Sequence, residues 1–222
     1  MIERVHVIGS GRVGSAVVAR MRERGLALGP DDPELVLLCV PDDAIAGVAA
    51  EIEPGPWVAH VSGATPLAAL APHERRFSVH PLQTFTRSRG PEQLDGAWAA
   101  VTAETDEGRE TGRWLAGTLG LRPFDLADGS RTLYHAGAVF VSNYVVTLHR
   151  AASLLFESAG APPEALEPLM RRTIENGFEL TGPISRGDWQ TVAAHRAAIQ
   201  AERGELDHLY ETLAGATVAL AT

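Results

Sequence analysis

Val5-His6-Val7-Ile8-Gly9-Ser10-Gly11-Arg12-Val13-Gly14-Ser15-Ala16-Val17 decides how this chain folds. Val5, Val7 and Ile8 make an apolar β-type run. Val13, Ala16, Val17 and Met21 then recur at helical spacing, so the stretch reads as strand, tight glycine turn, helix. In that setting Gly9 permits the turn, Gly11 lets a diphosphate approach the backbone, and Gly14 lets the helix lie close to the strand. The amides of Ser10, Gly11, Arg12 and Val13, at the start of the helix, would face the phosphates. A tight turn with no ligand would leave the same pattern.

The segment after the first helix is too short for a complete dinucleotide fold. Such a fold places an acidic residue at the end of a second strand, about 20 residues on, to grip the adenosine ribose. Here only Leu26-Ala27-Leu28-Gly29-Pro30-Asp31-Asp32-Pro33-Glu34 separates the first helix from the strong strand Leu35 to Val40. Leu26 to Leu28 can make a stub of a second strand, but no second helix and third strand fit. Asp31 and Asp32 lie at about the right distance to replace the ribose acid, yet between two prolines they read as a solvated turn.

The 222 residues suit one compact domain or two small ones. A formal net charge of −9 argues against nucleic acid, whose backbone calls for clustered cations. No unbroken apolar run of membrane-span length appears, and the single Cys39 reads as an inert core thiol, so a cytoplasmic location is expected. All nineteen cationic side chains are arginine. Without lysine, a catalytic proton must move through His, Asp, Glu, Tyr, Cys, Ser or water. No metal-ligand spacing is present.

The first half alternates strands (5–8, 35–40, 57–61, 77–79, 98–102, 123–126) with helices (12–24, 43–52, 66–70, 106–119), which predicts an α/β fold with a mainly parallel sheet. After Asp128 only helices are expected: 132–158, Pro163 to about Leu180, 189–203 and 205–220. The predicted domains are therefore 1–128, a truncated dinucleotide-binding sheet, and 129–222, an all-helical domain for dimerisation and substrate. The helix over 132–158 is apolar on almost every side, and four helices cannot bury it, so a homodimer through the helical half is expected.

Ligands of parallel sheets sit at the carboxyl ends of the strands. Val40-Pro41-Asp42-Asp43 follows one such end; Val40 and Pro41 would flank a nicotinamide ribose, and Asp42 or Asp43 can cap the next helix. His60 and Ser62 end another strand. Ser62 can bind a substrate carbonyl or hydroxyl, or cap the helix near Thr65 and Pro66. His80-Pro81-Leu82-Gln83 ends a third, so that His80 and Gln83 would overhang the site, with His80 either a proton carrier or a structural tie. His135, Ser142 and Asn143 share one face of a continuous helix; they face a cleft or bond other helices. Arg186 could hold a substrate carboxylate, and Asp188 suits the N-cap of the helix at Trp189.

Taken together, Gly9–Gly14, Val40–Ile45, His60–Ala64, His80–Phe85, Tyr134–Asn143 and Gly182–Asp188 resemble a domain-of-unknown-function group within the Rossmann-like proteins of the 6-phosphogluconate-dehydrogenase-like superfamily. The resemblance implies an NAD(P)-dependent oxidoreductase acting in the interdomain cleft, usually as a dimer. It would transfer hydride to or from a small carbonyl, imine or hydroxy compound. On this reading His80 or His135 handles the proton, Ser62 and Asn143 orient the substrate, Gln83 and Arg186 bind it, and the cofactor is NADP or NAD. Two departures stand out. β-Hydroxyacid dehydrogenases carry a catalytic lysine one turn before the asparagine, where this chain has Val139. Relatives also keep the second strand and its helix. The alternative is an inactive dimeric ligand-binding or regulatory protein that has lost the adenosine-binding part of the fold.

Overall fold

The computed structural model describes residues 2–220, which divide into two compact units between Phe140 and Val141. The first is a seven-stranded sheet with helices on both faces. Its elements are β1 (Arg4–Ile8), α1 (Arg12–Glu23), β2 (Ala27–Leu28), β3 (Leu35–Leu38), α2 (Ile45–Ala50), β4 (Trp57–His60), β5 (Arg76–Pro81), β6 (Trp98–Ala103), α3 (Asp106–Thr118), β7 (Arg122–Asp125) and α4 (Arg131–Val141). The strand order is β2-β1-β3-β4-β5-β6-β7, and only the β5–β6 pair is antiparallel. The expected helix over 66–70 is a short 3-10 turn, Leu67–Leu70.

The stub at Leu26–Leu28 forms a strand and resolves the handedness of the fold. Ala27 and Leu28 pair with Arg4 and Val5, so α1 is an ordinary crossover between parallel neighbours. The chain then returns past β1 to β3 with no covering helix. Asp32, at φ 45°, is drawn back to the amino edge of the sheet, where its carboxylate and carbonyl both take hydrogen bonds from Arg4. It therefore lies at the opposite end of β1 from the glycine turn, as the solvated-turn reading requires.

Strand alternation sorts the two faces. Val5, Leu35, Leu37, Trp57, Ala59, Phe77, Val79 and Val101 point to one side and form the larger apolar core with α1 and α3. Val36, Leu38 and Val58 point to the other and pack with Ile45, Ala49, Leu67 and Leu70. On this second face the register pairs His60 with Ser78 and Ser78 with Thr102, so a row of polar residues crosses β4, β5 and β6. All three are buried.

The helical unit contains α5 (Asn143–Ser158), α6 (Leu166–Glu175), α7 (Trp189–Glu202) and α8 (Asp207–Leu220). The continuous helix expected over 132–158 is interrupted: α4 ends at Val141, and Ser142 (φ −114°, ψ −74°) precedes a new start at Asn143. The straight-helix spacing that put His135, Ser142 and Asn143 on one face is therefore broken. The next helix stops at Glu175, not near Leu180, because Gly177 and Phe178 both take positive φ. Arg196 clamps α7 to α8 through a two-pronged pair with Asp207 (both 2.8 Å) and a further bond to Glu211, which holds the Asp207 carboxyl down at about 2. Despite its apolar sequence α5 has no buried residue, and Val146, Leu169, Ile174 and Phe178 are all at least 58% exposed. By length and composition Asp128–Ser158 is apolar enough to cross a membrane. That stretch is interrupted at Ser142, and its start is tied to the 3-10 turn Leu67–Leu70 through Asp128 and to the sheet through Arg131.

Candidate functional site

The glycine turn has the shape its sequence predicts. Gly9 sits at φ +115°, and a Cβ there would strike the Cys39 carbonyl and come within 3.3 Å of the Val40 amide nitrogen. A Cβ on Gly14 would strike the Gly9 carbonyl and stand 3.1 Å from the Cys39 Cβ. Both glycines thus bring α1 and the ends of β1 and β3 together. Gly11 is different: it is the N-cap of α1 with ordinary φ (−69°), and a Cβ there would meet nothing within 4 Å. No side chain caps this helix end, and Ser10, Gly11 and Arg12 are exposed. Glycine is a favoured N-cap residue, and at Gly11 it also leaves the backbone amides of the helix start open to approach, so the turn fits a diphosphate. Val40 and Pro41 stand beside it at the end of β3. Pro41, not an aspartate, is the N-cap of the following 3-10 turn, and neither Asp42 nor Asp43 makes a side-chain cap bond. Burial pushes the Cys39 thiol up to about 12, which makes it inert at neutral pH.

Parallel strands bring the ends of β1, β3, β4 and β5 to the same edge. There β5 runs three residues past β4, so His80 overhangs Gly63. A Cβ on Gly63 would lie 2.9 Å from His80 Nε2 and 2.7 Å from His135 Cδ2. The two histidines chosen from sequence, 55 positions apart in the chain, therefore cover one glycine, with ring centroids 6.1 Å apart. His80 Nδ1 is 2.8 Å from the Tyr134 hydroxyl. Burial, aided by His135 and Arg131, brings His80 down to about 4, and burial takes Tyr134 up to about 12. At neutral pH the imidazole is uncharged and the phenol protonated. Two neutral arrangements satisfy this contact: Tyr134 O–H donates to Nδ1 with the imidazole proton on Nε2, or Nδ1–H donates to the Tyr134 oxygen.

Arg131 underlies this pair and was not singled out from sequence. It is 1% exposed. Nη1 donates to Ser78 Oγ (2.6 Å) and Thr102 Oγ1 (2.9 Å), Nη2 donates to the Ser62 carbonyl, and Nε lies 3.9 Å from Asp128. The polar row across the sheet is the socket of this guanidinium. Asp128 also accepts the Leu67 amide (3.0 Å), so the start of α4 is bound to both the sheet and the 3-10 turn Leu67–Leu70. Desolvation lowers the Arg131 pKa while Asp128 opposes the shift. Next to it, His60 is fully buried. It accepts the Ser62 amide at Nδ1 (3.2 Å), and burial with the nearby Arg131 charge brings it down to about 3.

The remaining candidates fall in several places. The Ser62 hydroxyl donates to Thr65 Oγ1 (2.9 Å) and accepts the amides of Ala64 and Thr65, which makes it the hub of its turn. Gln83 donates to the Gln93 carbonyl and accepts the Thr84 amide. Gln93, missed from sequence, is the buried staple of the loop: its amide bonds the carbonyls of Thr86, Arg89 and Gly90 and the Thr86 amide. Asn143 and Arg186 belong to the helical unit. Asn143 Oδ1 accepts the Ser142 hydroxyl (3.3 Å), and Arg186 is exposed in the loop before α7. Asp188 caps α7 through the amide and hydroxyl of Thr191, as expected.

The pattern of the family described as "Domain of unknown function (DUF2520)" matches residues 97–217, over half of the chain. The chain belongs to this family. No curated protein matches this DUF2520 member. Among solved structures, it is similar to a candidate NADP oxidoreductase from Bacteroides fragilis (TM-score 0.81, 20% identity, 98% of each chain). It is also similar to a Thermotoga maritima protein (0.76, 23%, 95% of each chain). A reductive aminase from Aspergillus terreus, solved with NADPH and ethyl-5-oxohexanoate, aligns at 0.68 and 15% over 99% of this chain and 94% of its own. At these identities the likeness establishes the fold, a Rossmann-like α/β architecture shared with oxidoreductases. For this DUF2520 chain, Tyr134 could have been found from sequence as the neighbour of His135 in the Tyr134–Asn143 segment. Arg131 and Gln93 carried no local signal, because their partners lie far off in the chain or are backbone groups.

Proposed function

We propose that this protein is an NAD(P)-dependent oxidoreductase acting on a small carbonyl, imine or hydroxy compound, and that it works as a homodimer through its helical unit. The observation that carries the reading is the open approach to Gly11 at the sheet edge that also bears the His80–Tyr134 pair. The solved relatives support it: one is a candidate NADP oxidoreductase and another was solved with NADPH.

A nicotinamide, when bound, supplies or takes the hydride. The amides from Ser10 to Val13 would hold its diphosphate, with the α1 dipole favouring the negative charge. His80 Nε2–H is the proton donor to the oxygen or nitrogen of the compound being reduced. As that proton leaves, the Tyr134 proton passes to Nδ1, and the Arg131 charge beneath stabilises the phenolate. The reverse transfers serve oxidation. His135 packs against His80 and closes the far side of Gly63.

With small aldehydes, ketones and imines as substrates, His80→Asn and Tyr134→Phe should each lower kcat by about 10²-fold or more while leaving the dinucleotide Kd within about twofold of wild type. Full turnover in both variants would overturn the proton assignment. One observation favours a second reading, a ligand-binding protein without turnover: β2 has only two residues, and Asp32 is pinned away from the cofactor end. Dinucleotide binding with no turnover on any of these substrates would support it.

A further inference from the structure

We infer that Arg12, Arg87 and Arg89 form a second anchor for dinucleotide phosphate, which replaces part of the grip lost with the adenosine end of the fold. The inference rests on the cofactor reading. A cavity of about 510 Å³ opens between the amino-terminal half of α1 and the loop that leaves β5. Ser10, Gly11 and Arg12 line one wall, and Thr86, Arg87 and Arg89 line the other. The space is thus continuous with the approach to Gly11. In a chain of net charge −9 this wall is locally cationic. Among the described residues neither Arg12 nor Arg87 has an ion-pair partner, and Arg89 has only an exposed contact to Glu92 at 3.5 Å.

The loop is built to hold these arginines in place. Gln93, buried, gathers the backbone of Thr86, Arg89 and Gly90 around its amide. A fixed loop presenting guanidinium groups towards a helix amino end is suited to phosphate oxygens, which Arg binds with two parallel hydrogen bonds. Recognition of a ribose diol at this wall would instead call for a carboxylate.

The test is a titration of the full-length protein with NADPH, NADH and inorganic pyrophosphate, comparing wild type, Arg87→Gln/Arg89→Gln and the exposed control Arg22→Gln. The double variant should weaken dinucleotide binding by about tenfold or more and flatten its salt dependence, with the control unchanged. Equal losses for NADPH and NADH, with pyrophosphate competing in an arginine-dependent way, place the diphosphate there. A loss confined to NADPH places the ribose 2′-phosphate there. Unchanged binding of both dinucleotides by the double variant overturns the inference while leaving the cofactor reading intact. Arginine-dependent binding of pyrophosphate without either dinucleotide would do the reverse, keeping the anion site and removing the cofactor reading.

Discussion

His60 and His80 lie two residues apart along one face of neighbouring strands, and both are held neutral by the sheet around them. The unfolded chain takes up protons on these imidazoles near pH 6.5, whereas the folded chain resists until about 3 and about 4. The stability they confer is complete above pH 6.5 and is lost as pH falls towards those lower values, at about 1.4 kcal/mol per pH unit for each group while both remain neutral in the fold. Urea melts from pH 7 to pH 4.5 should therefore show stability dropping with acidity, and His80→Asn should flatten the slope by about half of the histidine share. An unchanged slope in that variant would show that His80 is not buried as described. Arg131 makes the opposite demand. It is a buried cation whose two terminal nitrogens donate to Ser78, Thr102 and the Ser62 carbonyl, while its Nε–H has no hydrogen-bond partner, so Ser78 and Thr102 of the polar row seat it.

At the level of elements, the glycine turn separates folding from binding. Gly14→Ala drives a methyl group into the Gly9 carbonyl, so the turn must open, and the expected cost is about 1–3 kcal/mol. At Gly11 a Cβ meets open space, so Gly11→Val should cost no more than the lost glycine N-cap, about 1 kcal/mol or less, and its melting temperature should stay within a few degrees of wild type. Thermal unfolding of the two variants reads this directly; equal destabilisation would mean that Gly11 is also a packing position. The same contrast explains what could be read in advance. The turn, the strands and the Asp188 cap were legible because each depends on residues within a few positions. The Arg131 socket was not, since it needs β5 and β6 paired antiparallel in one particular register. The break at Ser142 was hidden for another reason: the apolar run continues on both sides of it, and no glycine or proline marks it, although the β-branched, aromatic and Asn residues around it are weak helix formers.

On the scale of the whole molecule, the two units differ in how much they bury. The sheet unit has two apolar clusters with many residues fully enclosed. The helical unit encloses few, leaving Val146, Leu169, Ile174 and Phe178 largely in solvent. The proposed dimer would cover this apolar surface with a second copy of the chain. Sedimentation at micromolar concentration should give twice the mass of the chain, and Phe178→Asp should shift the distribution towards the single chain; a wild-type monomer would contradict the proposed dimer. The missing helix between β2 and β3 is the other molecular-scale feature. It leaves the adenosine side of the fold short, so on the proposed cofactor reading the cradle at Gly11 would do more of the binding. The most direct measurement is a titration of the full-length protein with NADPH and NADH, following energy transfer from its tryptophans. The account predicts saturable binding of at least one dinucleotide, weakened about tenfold or more by Gly11→Val in a protein that melts like wild type. Absence of binding of either dinucleotide at millimolar concentration, or undiminished binding by Gly11→Val, would contradict it.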